Sequence, residues 1–436
     1  MSPVERFDMR LIFSLAFLVY AIKFKRYFLL LIPFLQYAGF VFMIKGRPPE
    51  MNFIIGYAEL SILCLFALQY RLRDKTSLFL LVFPLSSLPS LILAQGNLCQ
   101  SIFIVTLLSL SAFLYQFYLK NMEWFLAKNI FDLIVLIWIF FGILTKIYEG
   151  IKYGHLASYK SSGIYGILSR GGGIGGSNHV AGIILMFLPF IKDYRVIVLC
   201  NIFLLFTFSR GVYVVLILFW LVKTVKSFSF MRMRIKKVAL KTAFLFMVVL
   251  FLLWSCMPEI YKTQVVNWAK QRTGITYGIE GLYSHVANDP RWKIYRQAIL
   301  ILKKTMFQGI GLGGFYWGQG LIGEKQEFSN AHNLYLTVLS EGGVLFFLGF
   351  LGLLGYMFVL SSRYSRKALY SMVIFFVFGL FSGEIYEASG LASACDYYYL
   401  VFILAYLTYV KNMRLRQKSV FRNNDTSSIS LSVEGA

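Results

Sequence analysis

The sequence predicts an all-α integral membrane protein, a polytopic bundle of about twelve transmembrane helices with a large outer loop. Hydrophobic residues make up 58% of its 436 residues and charged residues only 14%, whereas soluble domains have about 25% charged residues. Apolar runs long enough to cross a bilayer core of about 30 Å recur along the chain. These runs are continuous and not alternating, which favours helices over a β-barrel.

The candidate spans follow one another up to residue 410. The first run, 11–22, is short; if it crosses the bilayer, the N-terminus lies outside. We favour the alternative of about twelve crossings, with both chain ends inside. The remaining runs cover residues 27–44, 51–70, 76–94, 101–119, 129–146, 179–191, 195–208, 211–222, 242–257, 335–360, 368–389 and 397–410.

The net charge of +23 would indicate nucleic acid binding in a soluble protein. Here the basic residues lie in short connections between apolar runs, so they report orientation and no nucleic acid partner is predicted. The stretch 223–237, KTVKSFSFMRMRIKK, contains no acid and is assigned to the cytoplasm. Basic turns at 23–26, 71–75, 192–195 and 363–367 fit the same alternation.

This orientation divides the chain into four parts. Residues 1–257 form an N-terminal transmembrane bundle with an outer loop at 147–178, and 258–334 form the large outer loop. Residues 335–410 form the C-terminal transmembrane helices, and 411–436 a cytoplasmic tail that is disordered after Lys418. The five scattered cysteines indicate neither a disulfide framework nor a metal site. No internal repeat suggests a transporter built from inverted halves.

The large outer loop contains a predicted amphipathic helix, RWKIYRQAILILKKT, at 291–305. Trp292, Tyr295, Ile299 and Leu302 recur at helical spacing, which predicts an interfacial helix with this face on the membrane. The helix is either a simple anchor or a site where Arg291 or Arg296 holds an anionic lipid headgroup, because guanidinium groups match phosphate oxygens.

A glycine-rich segment, GIGLGGF at 309–315, follows that helix. Its glycines predict tight turns or the close approach of a ligand. The aromatic residues Tyr316 and Trp317 could stack on a sugar or lie at the membrane interface, and we favour the interface.

Two arginines lie at the outer ends of apolar runs. Arg210, in TFSRG, separates two runs that are each shorter than a full crossing. A charge there indicates a function, or else snorkelling or an ion pair with Glu59 or Asp132. Arg170 precedes the glycines of an irregular segment that enters the membrane.

His332 lies where the outer loop becomes an apolar helix, on the same side as Arg210, Arg170 and Arg291. Histidine titrates near neutral pH and can accept a proton from a hydroxyl group. Asn333 could bond to a sugar, and Glu341, about two and a half helical turns deeper, could partner a buried group. Helix initiation or interface packing is the alternative explanation for His332.

Three segments, TFSRG at 207–211, RWKIYRQAILILKKTMFQGIGLGGF at 291–315 and AHNLYLTVLSEGG at 331–343, occur in this order and topology. Together they resemble the bacterial O-antigen ligase and O-antigen polymerase family of inner-membrane glycosyltransferases. The sequence departs from the pattern of that family at two positions: Phe346 stands where a small residue or tyrosine is typical, and Val214 where leucine is common. We expect the phenylalanine to affect helix packing more than chemistry.

The resemblance implies a fold like that of GT-C membrane glycosyltransferases, with neither metal nor cofactor. The donor would be an undecaprenyl-diphosphate-linked oligosaccharide, and a sugar hydroxyl would attack with inversion. Arg210 and Arg291 would neutralise the leaving diphosphate, and His332 would act as the base. Arg170, Arg296 and Asn333 would bind substrate.

The resemblance also implies a multi-pass protein of the bacterial inner membrane, in contact with lipid, whose active site faces the periplasm. We favour a polymerase of O-antigen or capsule repeat units, on the basis of the segment 175–182. The alternatives are a ligase that attaches the glycan to lipid A core and, more distantly, a transporter or flippase of lipid-linked sugars. A chain-length regulator protein is a candidate partner.

Overall fold

A computed structural model describes residues 53–94, 98–153, 177–205, 212–221, 290–326, 331–380 and 395–430. All regular elements in these ranges are helical, which confirms the all-α part of the predicted fold class. The helices are α1 Phe53–Gln69, α2 Lys75–Val82, α3 Leu88–Leu91, α4 Leu98–Ala127, α5 Ile130–Tyr153, α6 Ser177–Phe187, α7 Tyr194–Leu205, α8 Val212–Leu221, α9 Pro290–Lys304, α10 Phe315–Leu321, α11 Leu334–Tyr364, α12 Arg366–Gly379 and α13 Cys395–Ser430.

Two of the described helices, α4 and α11, are long and apolar enough to cross a membrane. Shorter apolar helices overlap the predicted spans 51–70, 76–94, 129–146, 179–191, 195–208 and 211–222. Helices α12 and α13 overlap the predicted spans 368–389 and 397–410. The candidate spans at 11–22, 27–44 and 242–257 lie outside the described residues. The described helices are consistent with a helical membrane protein, and the number of about twelve crossings stays a prediction.

The predicted span 76–94 is not one regular helix. Asp74 caps the start of α2, where its Oδ1 accepts a hydrogen bond from the backbone N–H of Ser77 at 2.8 Å. A 3₁₀ turn, Phe83–Ser87, then separates α2 from α3. Proline has no N–H to donate to an α-helix, so Pro84 and Pro89 interrupt the run.

Helix α4 lies at the centre of the packing, against α1, α2 and α13. Aromatic rings fill this core: Phe66 stacks on Phe117 with ring centroids 4.6 Å apart, and Tyr118 meets Phe402 edge-on at 5.1 Å. Helix α11 packs against α9, α12, α13 and the 3₁₀ turn. Because α11 contacts both the core and α9, it connects the bundle to the part of the predicted outer loop that contains α9.

Basic connections meet at one end of the bundle. The Lys192 Nζ donates to Asn129 Oδ1 at 3.1 Å, just past the last residue of α4. The Asp132 carboxylate accepts from the backbone N–H of Lys192 at 3.2 Å. Near the same end, Arg414 donates to the carbonyl oxygen of Arg363 at 3.3 Å. These contacts agree with the predicted alternation, in which 192–195 and 363–367 share one side.

The last helix is longer than predicted. We expected a disordered tail after Lys418, but α13 continues to Ser430. Extending an existing helix needs no new nucleation, so a polar sequence can continue an apolar helix at little cost.

Candidate functional site

Helix α11 is broken inside its apolar run, at Gly343. The backbone of Gly343 has φ 77° and ψ 177°, which no α-helix accommodates. The break frees the carbonyl oxygens of Ser340 and Glu341 and the N–H of Val344 from regular helical bonding. The Val344 N–H donates instead to the carbonyl oxygen of Phe307, at 3.0 Å. A segment that follows α9 thus takes over part of the hydrogen bonding of α11.

The glycine-rich segment Gly309–Phe315, which we call the Gly loop, satisfies the freed carbonyls. The N–H of Ile310 lies 3.2 Å from the Ser340 oxygen and 3.0 Å from the Glu341 oxygen. The N–H of Gly311 donates to the same Glu341 oxygen at 2.9 Å. Buried backbone groups must be paired, so the break and the Gly loop depend on each other.

The contact between the Gly loop and the break in α11 at Gly343, which we call the joint, requires glycine on both sides. A Cβ built on Gly309 would overlap the Glu341 oxygen and the Gly343 nitrogen, and one on Gly343 would overlap the Gln308 oxygen. Both glycines also have positive φ, 84° and 77°. The backbone that approaches these glycines closely is therefore that of the protein itself, where the Gly loop meets α11. The close approach of a ligand stays a prediction.

Glu341 adds a side-chain connection to the same joint. Its side chain is fully buried, at 0% exposure. One carboxylate oxygen accepts from the N–H of Gly313 at 2.7 Å, and the other accepts from the N–H of Phe315 at 3.1 Å. The prediction that Glu341 partners a buried group is confirmed: the group is the backbone of the Gly loop.

The first turn of α4 holds the other side of the Gly loop. The Ser101 hydroxyl donates to the Leu312 carbonyl oxygen at 2.9 Å, and the side chain of Gln100 lies against Gly313. The sequence interpretation missed both polar residues. Their signal was available, because polar side chains at the start of an apolar span need a partner.

Helix α9 forms where it was predicted, and one of its faces packs against the protein. Contact of the predicted stripe with the membrane stays a prediction. Ile294, Ala298 and Ile301 belong to one hydrophobic cluster with Ile310, Phe315 and Ala331. Of the predicted stripe, Leu302 is buried, whereas Trp292 is 56% and Ile299 46% exposed. The helix carries apolar residues on both faces, and the face with the small Ala298 packs on the protein.

The cluster packs α9, the helix that carries Arg291 and Arg296, against the turn before α11. Arg291, in the first turn of α9, is partly buried, and Arg296 is exposed. Ala331, immediately before His332, is a fully buried member of the cluster. The structure therefore joins the helix that carries Arg291 to the residue that precedes His332.

His332 lies in a sharp turn. Its backbone is left-handed, with φ 50°, and its side chain is exposed. Such a conformation is uncommon for residues other than glycine and often marks functional positions. Just before it, the N–H of Ala331 donates to Thr337 Oγ1 at 3.2 Å. The backbone that precedes the exposed imidazole is thus fixed by the hydrogen bond between Ala331 and Thr337.

Asn333 caps α11. Its Oδ1 accepts from the N–H groups of Tyr335 at 3.0 Å and Leu336 at 3.1 Å, as an N-cap residue does. Its Nδ2 donates to the Leu380 carbonyl oxygen at 3.2 Å. Helix initiation, the alternative considered for His332, is the task of its neighbour, which also ties α11 to the end of α12.

Phe346 packs as the sequence suggested. It is buried, and its ring stacks on Phe83 of the 3₁₀ turn, with centroids 5.5 Å apart. The ring also fills the space in which a side chain on Gly342 would lie. This phenylalanine fixes α11 to the bundle about one turn after the break.

The other candidate residues, Arg210 and Arg170, lie outside the described residues. Site roles for these two, and for Arg291, Arg296, His332 and Asn333, stay predictions. Among the described residues, no group of three or more His, Cys, Asp or Glu side chains could hold a metal ion.

Part of the chain matches a known protein family. Residues 195–351 match the family described as O-antigen ligase. The matched range contains Arg210, α9, the Gly loop, the His332 turn and the break in α11. No curated protein matches the chain. Within residues 195–351, the chain is therefore similar to the O-antigen ligase family, and this match supports a relationship to that family.

Proposed function

We propose that this chain is an inner-membrane glycosyltransferase that moves a glycan from undecaprenyl diphosphate to a sugar hydroxyl at the periplasmic face. The observation that carries the proposal is the family match over 195–351, which covers the His332 turn and the helix that bears Arg291. We favour a repeat-unit polymerase. A ligase acting on lipid A core is the second candidate, because the matching family is described by that activity.

The proposed reaction is a displacement at the anomeric carbon. The acceptor oxygen forms a bond to that carbon while the bond from the carbon to the diphosphate oxygen breaks, with inversion. His332 takes the proton of the attacking hydroxyl, a task suited to an exposed imidazole. Undecaprenyl diphosphate leaves as an anion.

Positive side chains would stabilise the leaving group. Arg291 and Arg210 neutralise the charge that develops on the diphosphate as the bond breaks, and fixed cations near developing charge are strong catalysts. Arg170 and Arg296 bind the phosphates or the glycan. Arg291 is suited to a fixed position because it is partly buried in the first turn of α9.

Asn333 has limited capacity for substrate. Its Oδ1 and one N–H of its amide are engaged in the cap and the bond to Leu380. An asparagine amide has two N–H donors, so the second is available to a sugar hydroxyl beside His332.

Purified protein in lipid vesicles tests the proposal. A polymerase converts an undecaprenyl-diphosphate-linked repeat unit into longer chains without another acceptor, whereas a ligase forms product only after lipid A core is added. Absence of product with either acceptor, combined with movement of the lipid between leaflets, would contradict both enzyme functions and indicate a transporter.

A further inference from the structure

We infer that Glu341 is a positioning residue for the transfer reaction, because it connects the helical segment that carries the His332 turn to the loop that places α9 and Arg291. This inference rests on the proposed function. Glu341 does not touch substrate, since its side chain is fully buried.

The first step is the fit between the carboxylate and the Gly loop. Burying a carboxylate is costly unless hydrogen bonds compensate. Here each oxygen has its own donor, the N–H of Gly313 at 2.7 Å and that of Phe315 at 3.1 Å. The two bonds fix both the position and the orientation of the loop where it meets α10.

The second step runs from the loop to α9. Phe315 is the first residue of α10, and a side chain on Gly318 of α10 would overlap Ile301 of α9 and Ile310 of the loop. The backbone of α10 therefore lies directly on α9. A shift of the Gly loop cannot leave α9 in place.

The third step runs from Glu341 to His332. Residues 334–342 form the part of α11 that precedes the break at Gly343. Asn333 caps this segment, and His332 is the next residue. One helical segment thus has the His332 turn at its start and Glu341 at its end, so Glu341 sets the geometry between this turn and Arg291.

The substitution Glu341→Gln tests the connection with little change in shape. The amide can accept hydrogen bonds only at its oxygen, so either Gly313 or Phe315 is left facing an NH₂ group. We expect kcat to fall about 10- to 100-fold, because small displacements of reacting groups have effects of this size. We expect a smaller change in KM for the lipid-linked donor.

The matched control is Glu324→Gln in the same segment. Glu324 lies 3.7 Å from Lys293 Nζ at the surface, and exposed ion pairs contribute little. We expect this variant to keep both kcat and KM. A kcat loss equal to that of Glu341→Gln would overturn the inference.

A double-mutant cycle separates positioning from a merely structural role. Arg291→Ala should reduce kcat much less in the Glu341→Gln protein than in the wild type, because the arginine is already displaced. If Glu341→Gln only lowers the amount of folded protein, Arg291→Ala has the same effect in both backgrounds. Equal effects would overturn the positioning role.

Hydrogen exchange gives a readout that does not depend on activity. The amides of Gly313 and Phe315 should exchange faster in Glu341→Gln than in the wild type. Their exchange rates in Glu324→Gln should equal those of the wild type. Unchanged exchange in Glu341→Gln would contradict this inference alone. A wild-type protein that forms no transfer product would contradict the proposed function. It would also contradict the role of Glu341 in positioning groups for transfer.

Discussion

His332 and Asn333 are neighbours with different structural tasks. Asn333 caps α11 with its side chain, so its presence is explained by folding. His332 has an exposed side chain on a left-handed backbone. We therefore propose the imidazole of His332, and not the capping amide of Asn333, as the reactive group at this turn.

The substitution His332→Asn tests this assignment without a change in backbone preference. Asparagine tolerates left-handed φ better than most residues, so the variant should fold and insert like the wild type. Loss of the base should reduce transfer about 100- to 10,000-fold. Glycosidic bond formation in vesicles and thermal unfolding in detergent measure the two effects. Transfer at wild-type rate would exclude His332 as the base.

Among the contacts between elements, the joint between the Gly loop and α11 positions the candidate site. Backbone groups freed at Gly343 are paired by Phe307, Ile310 and Gly311, and two glycines allow the backbones to meet. Neither element can form this arrangement alone. The joint is therefore a single packing unit made from segments on either side of the outer-loop end.

Substitutions of glycine by alanine should separate two causes of instability, backbone strain and overlap with neighbouring backbone atoms. Gly323→Ala introduces only backbone strain, because its φ is 76° and nothing lies within 4 Å; we expect a loss of about 1 to 2 kcal/mol. Gly309→Ala and Gly343→Ala add overlap with backbone and should lose more, to the point of poor accumulation in the membrane.

Gly352→Ala is the control for these variants. Gly352 lies in the helical part of α11 with nothing within 4 Å, so alanine should be neutral or stabilising by up to about 1 kcal/mol. Unfolding in detergent and membrane yield measure the series. Equal stability of Gly309→Ala and Gly323→Ala would contradict the close backbone contact.

Sequence patterns predicted most helices but not how they join. Continuous apolar runs are long-range signals, and they located α1 and α11 to within a few residues. Helix α4 continues to Ala127, past its predicted end at 119, and α12 ends at Gly379, before its predicted end at 389. The break at Gly343 was hidden because glycine is common in membrane helices and the run around it stays apolar. The face of α9 that packs on the protein was not predicted, because both faces carry apolar residues and only tertiary packing selects one.

At the scale of the whole molecule, the candidate site and the basic turns lie at opposite ends. The Gly loop contacts the first turn of α4 through Ser101, and Lys192 contacts Asn129 just past its last turn. A helix of 30 residues spans about 45 Å. This separation agrees with the sequence argument that placed 192–195 inside and 258–334 outside.

Accessibility to a membrane-impermeant thiol reagent tests this orientation. In a chain without its native cysteines, Lys325→Cys in the predicted outer loop should react in cells whose outer membrane is permeabilised and whose inner membrane is intact. Lys367→Cys, in the first turn of α12 at the basic end, should react only after the inner membrane is permeabilised. Both side chains are exposed, so burial does not explain a difference. Labelling of both from the same side would contradict the topology.

The most direct test of the central claim follows both products of the reaction in vesicles that contain only this protein. Supplied with an undecaprenyl-diphosphate-linked glycan and the matching acceptor, the wild type should release one undecaprenyl diphosphate for each glycosidic bond formed, and His332→Asn should do neither. Wild-type protein that forms no glycosidic bond with either a repeat unit or lipid A core as acceptor would contradict the account.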